Sequence, residues 1–157
     1  MAGEKGTVLL EGVRIIFRNF TGKEGQYNRE GDRNFGVIIP DQATAEAMLT
    51  DGWNIKYLKP REDDEEGEET PWLSVSVNFD KGRPPKIMLV TSRGRTNLDE
   101  DSVETLDWAD ITNVDLIVRP YTWEVSGRTG IKAYLQSMYV TIEEDELERK
   151  YAEMDQQ

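Results

Sequence analysis

Residues 72–79, WLSVSVNF, constrain the fold more than any other stretch of the chain. Leu73, Val75, Val77 and Phe79 alternate with Trp72, Ser74, Ser76 and Asn78. A helix would scatter these apolar side chains around its axis, whereas an extended strand gathers them on one face. The chain is therefore built on a sheet with one buried and one solvated face. Residues 12–39 carry the same period through two strands joined by a polar loop, GVRIIFRNFTGKEGQYNREGDRNFGVII. On the first strand, residues 7–20, Arg14, Ile16, Arg18 and Phe20 are expected to point outward. Val13, Ile15 and Phe17 are expected to point into the core, with Gly12 at a bulge or bend. After the Gly-rich loop 21–32, with Tyr27 as its one aromatic, Arg33 and Phe35 again stand two apart. Cations and rings interleaved on an exposed sheet face suit a nucleic-acid strand, the cations meeting phosphates and the rings stacking on bases. A half-solvated sheet with solubilising arginines is the plainer alternative.

Strand 34–39 ends at Pro40, and Asp41 reads as the N-cap of a short helix, 42–50, stopped by Gly52. Ala43, Ala47 and Met48 are its expected buried stripe, and 53–58 a further strand. Residues 87–90, IMLV, are a continuous apolar run, expected to be buried on both faces. The following TSRGRTN, 91–97, sets Arg93 and Arg95 around a glycine beside hydroxyls, a pattern suited to holding phosphate although it has neither common nucleotide-loop spacing. Residues 99–110 are expected to hold a helical turn capped by Asp101 with Glu104 completing the box, packed through Val103, Leu106 and Trp108. Strands 113–125 and 131–142 form a hairpin across 126–130. Arg119, Tyr121 and Trp123 share a face on the first, with Pro120 marking an edge or a bulge. Lys132, Tyr134, Gln136 and Met138 share a face on the second, while Tyr139 and Trp108 read as core aromatics.

The net charge of −12 at first argues against a nucleic-acid partner, but its distribution reverses that reading. Residues 61–70 (REDDEEGEET) contribute −6 and 143–157 contribute −5. Residues 99–115 hold seven acids and no cation, so what remains is cationic and lies in strands and turns. The acidic stretch 61–70 has no apolar residue and is expected to be a mobile loop with no metal. Cysteine and histidine are both absent. Disulfides, Cys or His zinc sites, thiol nucleophiles and histidine bases are thereby excluded. No run spans a membrane, and the N-terminal apolar run is too short for a secretory signal, so an intracellular protein is expected.

The order of elements suits a mainly β chain: an OB-fold-like, partly open β-barrel with one or two short helices. A β-sandwich is the alternative. One domain, 1–142, is expected, followed by an acidic tail, 143–157, in which Leu147, Tyr151 and Met154 stand at helical spacing.

Four stretches together resemble the single-stranded DNA-binding proteins of tailed bacteriophages. They are VRIIFRNFTGKEGQYNREGDRNFGV, WNIKYLKPRE, PPKIMLVTSRGRTNLDEDSVETLDWADI and VDLIVRPYTWEVSGRTGIKAYLQSMYVTIEEDELERKYAEM. The resemblance runs from about Val13 to Met154. It implies an OB-fold that coats single-stranded DNA in replication or recombination without base specificity, in the cytoplasm of the infected host. Many single-strand binders end on an aromatic residue that recruits partners. This chain ends Met154-Asp-Gln-Gln157, so a docking helix is as well suited to that role.

On this reading Arg14, Arg18, Arg33, Lys86, Arg93, Arg95, Arg119, Arg128 and Lys132 track phosphates. Phe20, Tyr27, Phe35, Tyr121, Trp123 and Tyr134 stack on bases. No cofactor or metal is expected. Besides DNA, the expected partners are a second copy of the chain and replication or recombination proteins met through the tail. Two other functions compete: an acidic decoy that blocks a host nuclease, and a magnesium nuclease using Asp99, Asp101 and Asp107.

Overall fold

The structure is a computed structural model, described here for residues 6–26, 28–60, 62–63, 67–80 and 82–144, with 147, 150 and 154. Its strands are β1 (Val8–Val13), β2 (Ile15–Asn19), β3 (Arg33–Ile38), β4 (Ile55–Leu58), β5 (Thr70–Val77), β6 (Lys86–Thr91), β7 (Gly94–Leu98), β8 (Ile111–Val125) and β9 (Arg128–Ile142). Helix α1 (Gln42–Asp51) links β3 to β4, and a 3-10 turn, Val103–Asp107, precedes β8.

The main path runs β1-β8-β9-β5-β3-β2, and β5 lies parallel to β9 through Val75↔Ala133 and Ser76↔Tyr134. Its two ends, β1 and β2, are separated in the chain by Arg14 alone. A single bent strand thus serves both edges, and the sheet curls into a partly open barrel of OB-fold type. Strand β4 pairs with β5, and the β6–β7 hairpin adds to β9 beyond the end of β5.

The core comes from the inward faces of these strands, including Val37, Leu73, Val75, Ile87, Val114, Leu116, Val118, Leu135, Met138 and Val140. The alternation expected for 72–79 holds: Leu73, Val75 and Val77 are buried and Ser74 is exposed. Asp41 caps α1, accepting from the Thr44 N–H at 2.7 Å, and Gly52 ends it in the left-handed region. Ala45 and Met48 form its buried stripe, while Ala43 and Ala47 face solvent, contrary to expectation.

The first strand departs from simple alternation twice. Gly12, at φ +61, lies in a bulge against β8, and Phe17, at φ +50, coincides with a register shift against β3. Each irregularity resets which side chains face inward. Val13 stays inside and Arg14 and Arg18 outside, but Phe17 and Phe20 exchange places. Phe17 is 60% exposed and Phe20 fully buried. In β9 the extra residue is Gln136, since Val118 pairs with Leu135 and Ile117 with Ser137. Met138 therefore turns inward and Tyr139 outward, against the expected shared face.

Of the apolar run 87–90 only Ile87 is fully buried, because β6 has the exposed β7 at its outer edge. Asp99, not Asp101, holds the 3-10 turn, accepting from the Asp101 N–H and from the Ser102 N–H and hydroxyl. The hydroxyl of Ser102 and then the Asp101 N–H hold the Asp99 carboxyl below its ordinary pKa. Val103 and Leu106 are buried by the turn, but Trp108 at its end is 72% exposed. The hairpin turn is tighter than expected: Ser126 and Gly127, both at positive φ, close β8 onto β9 as a two-residue turn. Residues 61 and 64–66 of the acidic stretch, and most of the tail 143–157, lie outside the described residues. Leu147 and Met154 are exposed.

Candidate nucleic-acid interface

The outer faces of β3, β5 and β9 meet in a cleft of about 540 Å³. Its lining includes Arg29, Arg33, Asn34, Ser76, Asn78, Lys132 and Tyr134. A second hollow of about 270 Å³ shares Ser76 and Lys132 with it and continues past Ser74 to Lys56 and Trp123. Its floor follows from the alternation of 72–79. The residues that face away from the core are Ser74 and Ser76, opposite Gly36 and Asn34 of β3. Small polar side chains leave this surface low and flat, so a ligand can lie close to the backbone.

Large rings flank the floor on two sides. On the β3 side Trp72 reaches across the strand: a Cβ on Gly36 would lie 2.8 Å from its Cε3. Its ring meets exposed Phe17 edge-on at 5.0 Å, with Lys56 Nζ 5.2 Å from its centroid. On the β9 side Trp123 lies over Gly130, where a Cβ would come within 2.6 Å of Cζ2. In each case a glycine makes room for an indole on the outer face.

The β8–β9 hairpin supplies the cations. Arg119, Tyr121 and Trp123 pair with Tyr134, Lys132 and Gly130, so all stand on one face. Tyr121 meets Tyr134 edge-on at 5.9 Å, and Arg119 and Lys132 lie 5.9 and 5.3 Å from the Tyr134 ring centre. Cations at these distances are drawn to the ring's quadrupole. Tyr134 itself is largely covered, while Tyr121 is 57% and Trp123 37% exposed.

The loop joining β2 to β3 forms the remaining wall. Asp107 anchors its start, accepting from Phe20 N–H at 2.7 Å, Thr21 N–H at 3.0 Å and Thr21 Oγ1 at 2.5 Å. Asn28 holds its far end through Nδ2 bonds to the carbonyls of Lys23, Arg29 and Asp32. Asn34 Nδ2 donates to Asn28 Oδ1 at 2.7 Å, and Arg29 borders the floor.

A family model described as "Putative phage ssDNA-binding domain" matches residues 4–157. The chain belongs to this phage ssDNA-binding domain family. Two solved structures similar to this family member are of the single-stranded DNA-binding protein from bacteriophage Enc34. The C-terminal truncation is 14% identical, with a TM-score of 0.58 over 90% of this chain and 89% of that one. The protein in complex with ssDNA is also 14% identical, with a TM-score of 0.57 over the same shares. At that identity the likeness concerns the fold. No curated protein matches the sequence.

Within this phage ssDNA-binding domain the residues expected from the sequence divide into groups. Arg119, Tyr121, Trp123, Lys132 and Tyr134 come together on the hairpin, with Arg128 exposed at its tip. Arg33 reaches the cleft but is largely buried, 5.5 Å from the Phe79 ring centre and 3.7 Å from Glu100 Oε1. Phe20 and Phe35 are corrections: their rings stack on each other at 5.0 Å, fully inside the core, and no base reaches them. Arg18 is largely structural, its Nη1 donating to the carbonyls of Leu106 and Ala109. Arg14 lies off the cleft, in a separate hollow with Asp110 and Glu143. Lys86, Arg93 and Arg95 belong to the β6–β7 hairpin. Tyr27 lies outside the described residues.

Sequence reasoning missed Arg29, Lys56, Trp72 and Phe17. The alternation of 72–79 already set Trp72 on the solvent face, so that one was readable. Phe17 gave no such signal, because its outward turn depends on a backbone conformation rare for a bulky residue.

Proposed function

We propose that the protein binds single-stranded DNA without reading its sequence, along the outer face of β3, β5 and the β8–β9 hairpin, and so coats and protects the strand during phage replication or recombination. The observation that carries this is the hairpin face itself: Arg119, Tyr121, Trp123, Lys132 and Tyr134 overlook a floor of Ser74, Ser76, Asn34 and Gly36. Every base has a stackable face, whereas base discrimination needs groups matched to base edges. The walls offer rings and cations, which suits sequence-independent binding. The Enc34 protein, a relative in fold, has been solved in complex with ssDNA, which agrees with the ligand class.

Binding alone, without catalysis, is the reading we favour. Asp99 and Asp107, two of the three carboxylates that a magnesium nuclease would need, already accept N–H and hydroxyl bonds. Arg29, Lys56, Arg119 and Lys132 border the floor, so four phosphate contacts would give a log–log salt slope of about −3. Titration with oligo-dT should quench tryptophan fluorescence, and added salt should reverse the quench with that slope. Absence of any quench at low salt would refute the reading.

A further inference from the structure

Resting on that reading, we infer that the DNA path continues beyond the cleft along β9, over the bulge at Gln136, to a second cation-flanked ring, Tyr139 with Lys86 and Arg95. Tyr134 and Tyr139 are an odd number of residues apart, and in a regular strand they would face opposite sides of the sheet. The extra residue, Gln136, restores them to one face. The bulge falls where β9 changes neighbours, from β5 at Ala133 and Tyr134 to β6 from Ser137 onward. The outer surface is therefore continuous across the junction.

The second site repeats the chemistry of the first. Lys86 Nζ lies 5.6 Å and Arg95 Cζ 5.4 Å from the Tyr139 ring centre, as Lys132 and Arg119 flank Tyr134. Four strand steps separate the two tyrosines, or about 13 Å, a span an extended oligonucleotide can bridge. The carboxylate nearest in register, Asp115 opposite Tyr139, is engaged with Gly12 N–H and with Asn113 Nδ2. Lys86 and Arg95 are exposed, so their heads can leave the ring for a phosphate without disturbing the core.

The test compares Lys86→Gln/Arg95→Gln and Tyr139→Ala with wild type on two oligo-dT lengths. One is the shortest that saturates the tryptophan quench, and the other is about three times as long. On the long oligonucleotide the double variant should bind roughly tenfold more weakly, with a salt slope shallower by about 1.4. Tyr139→Ala should also weaken long-oligonucleotide binding, and both variants should match wild type on the short one. Unchanged long-oligonucleotide affinity in all variants, or an equal loss on both lengths, overturns the extended path. If wild type binds neither length, the DNA-binding reading itself has failed, and the path falls with it.

Discussion

Gly130→Ala is expected to weaken DNA binding without weakening the fold. Its added Cβ would lie 2.6 Å from Cζ2, 2.8 Å from Cε2 and 3.0 Å from Nε1 of Trp123. Non-bonded carbons rest at about 3.5–4.0 Å, so the indole must retreat by roughly 1 Å or more. Gly130 is not in the left-handed region, so alanine fits its backbone and the Trp123↔Gly130 pairing can persist. Alanine at a compatible site restricts the unfolded chain, which raises stability by about 0.4–1 kcal/mol. A displaced ring, by contrast, loses up to one base stack, about 1–3 kcal/mol, or roughly 5- to 140-fold in Kd. The assay is oligo-dT titration alongside urea unfolding of the same preparation. Trp123→Ala sets the largest loss expected, and adding Gly130→Ala to it should cost nothing further, because both act through one ring. Wild-type affinity in Gly130→Ala, or a full additional loss in the double variant, would refute the reasoning.

Lys132→Gln should weaken oligo-dT binding and make the salt slope shallower by about 0.7, read by titration at several salt concentrations. Phe35→Ala, in the ring pair with Phe20, should lower unfolding free energy by about 3–5 kcal/mol in urea while the folded fraction keeps its DNA affinity. Asp107→Ala should cost about 1–3 kcal/mol, because the Phe20 N–H is left in a partly buried place without its acceptor, and amide exchange should rise at Phe20 and Thr21. The Thr44 N–H holds the Asp41 carboxyl below its ordinary pKa, as Ser102 does for Asp99. Depressed folded values mean that their stabilisation is present above the unfolded pKa and is lost as pH falls through the folded values. Asp41→Ala and Asp99→Ala should therefore lower the midpoint of thermal unfolding at neutral pH and flatten its decline below about pH 4.

Where the period of two is unbroken, the sequence was sufficient. Residues 72–79 and 113–125 alternate cleanly, and they supply the floor of the cleft and the ring-bearing face of the hairpin. Sequence reasoning erred wherever one residue changes the count. The left-handed Phe17 puts Phe20 into the core, and Gln136 exchanges Met138 for Tyr139 on the outer face. Neither event has a compositional mark, since both depend on which partner strand each segment meets. Trp108 misled for another reason. A 3-10 helix, with about three residues per turn, rotates side chains differently from an α-helix, so a tryptophan expected beside Val103 and Leu106 ends up exposed. The expectation that Lys86 and Arg95 touch phosphate came from their charge and, for Arg95, from the Arg93-Gly-Arg95 pattern, whereas their flanking of Tyr139 required the parallel register of β6 on β9.

The seam between β5 and β9 consists of two residue pairs, and Val75 stands 58 positions before Ala133. The walls on either side of it are antiparallel ladders: β8 and β9 close through a two-residue turn, and β5 pairs with β3 and β4. Local hairpins form within microseconds, whereas a contact across so long a loop must first meet the entropy of closing it. During folding the hairpin ladder can therefore assemble before any cleft exists. Recovery of oligonucleotide binding would then lag behind recovery of strand signal in a refolding experiment, timing the closure of the barrel.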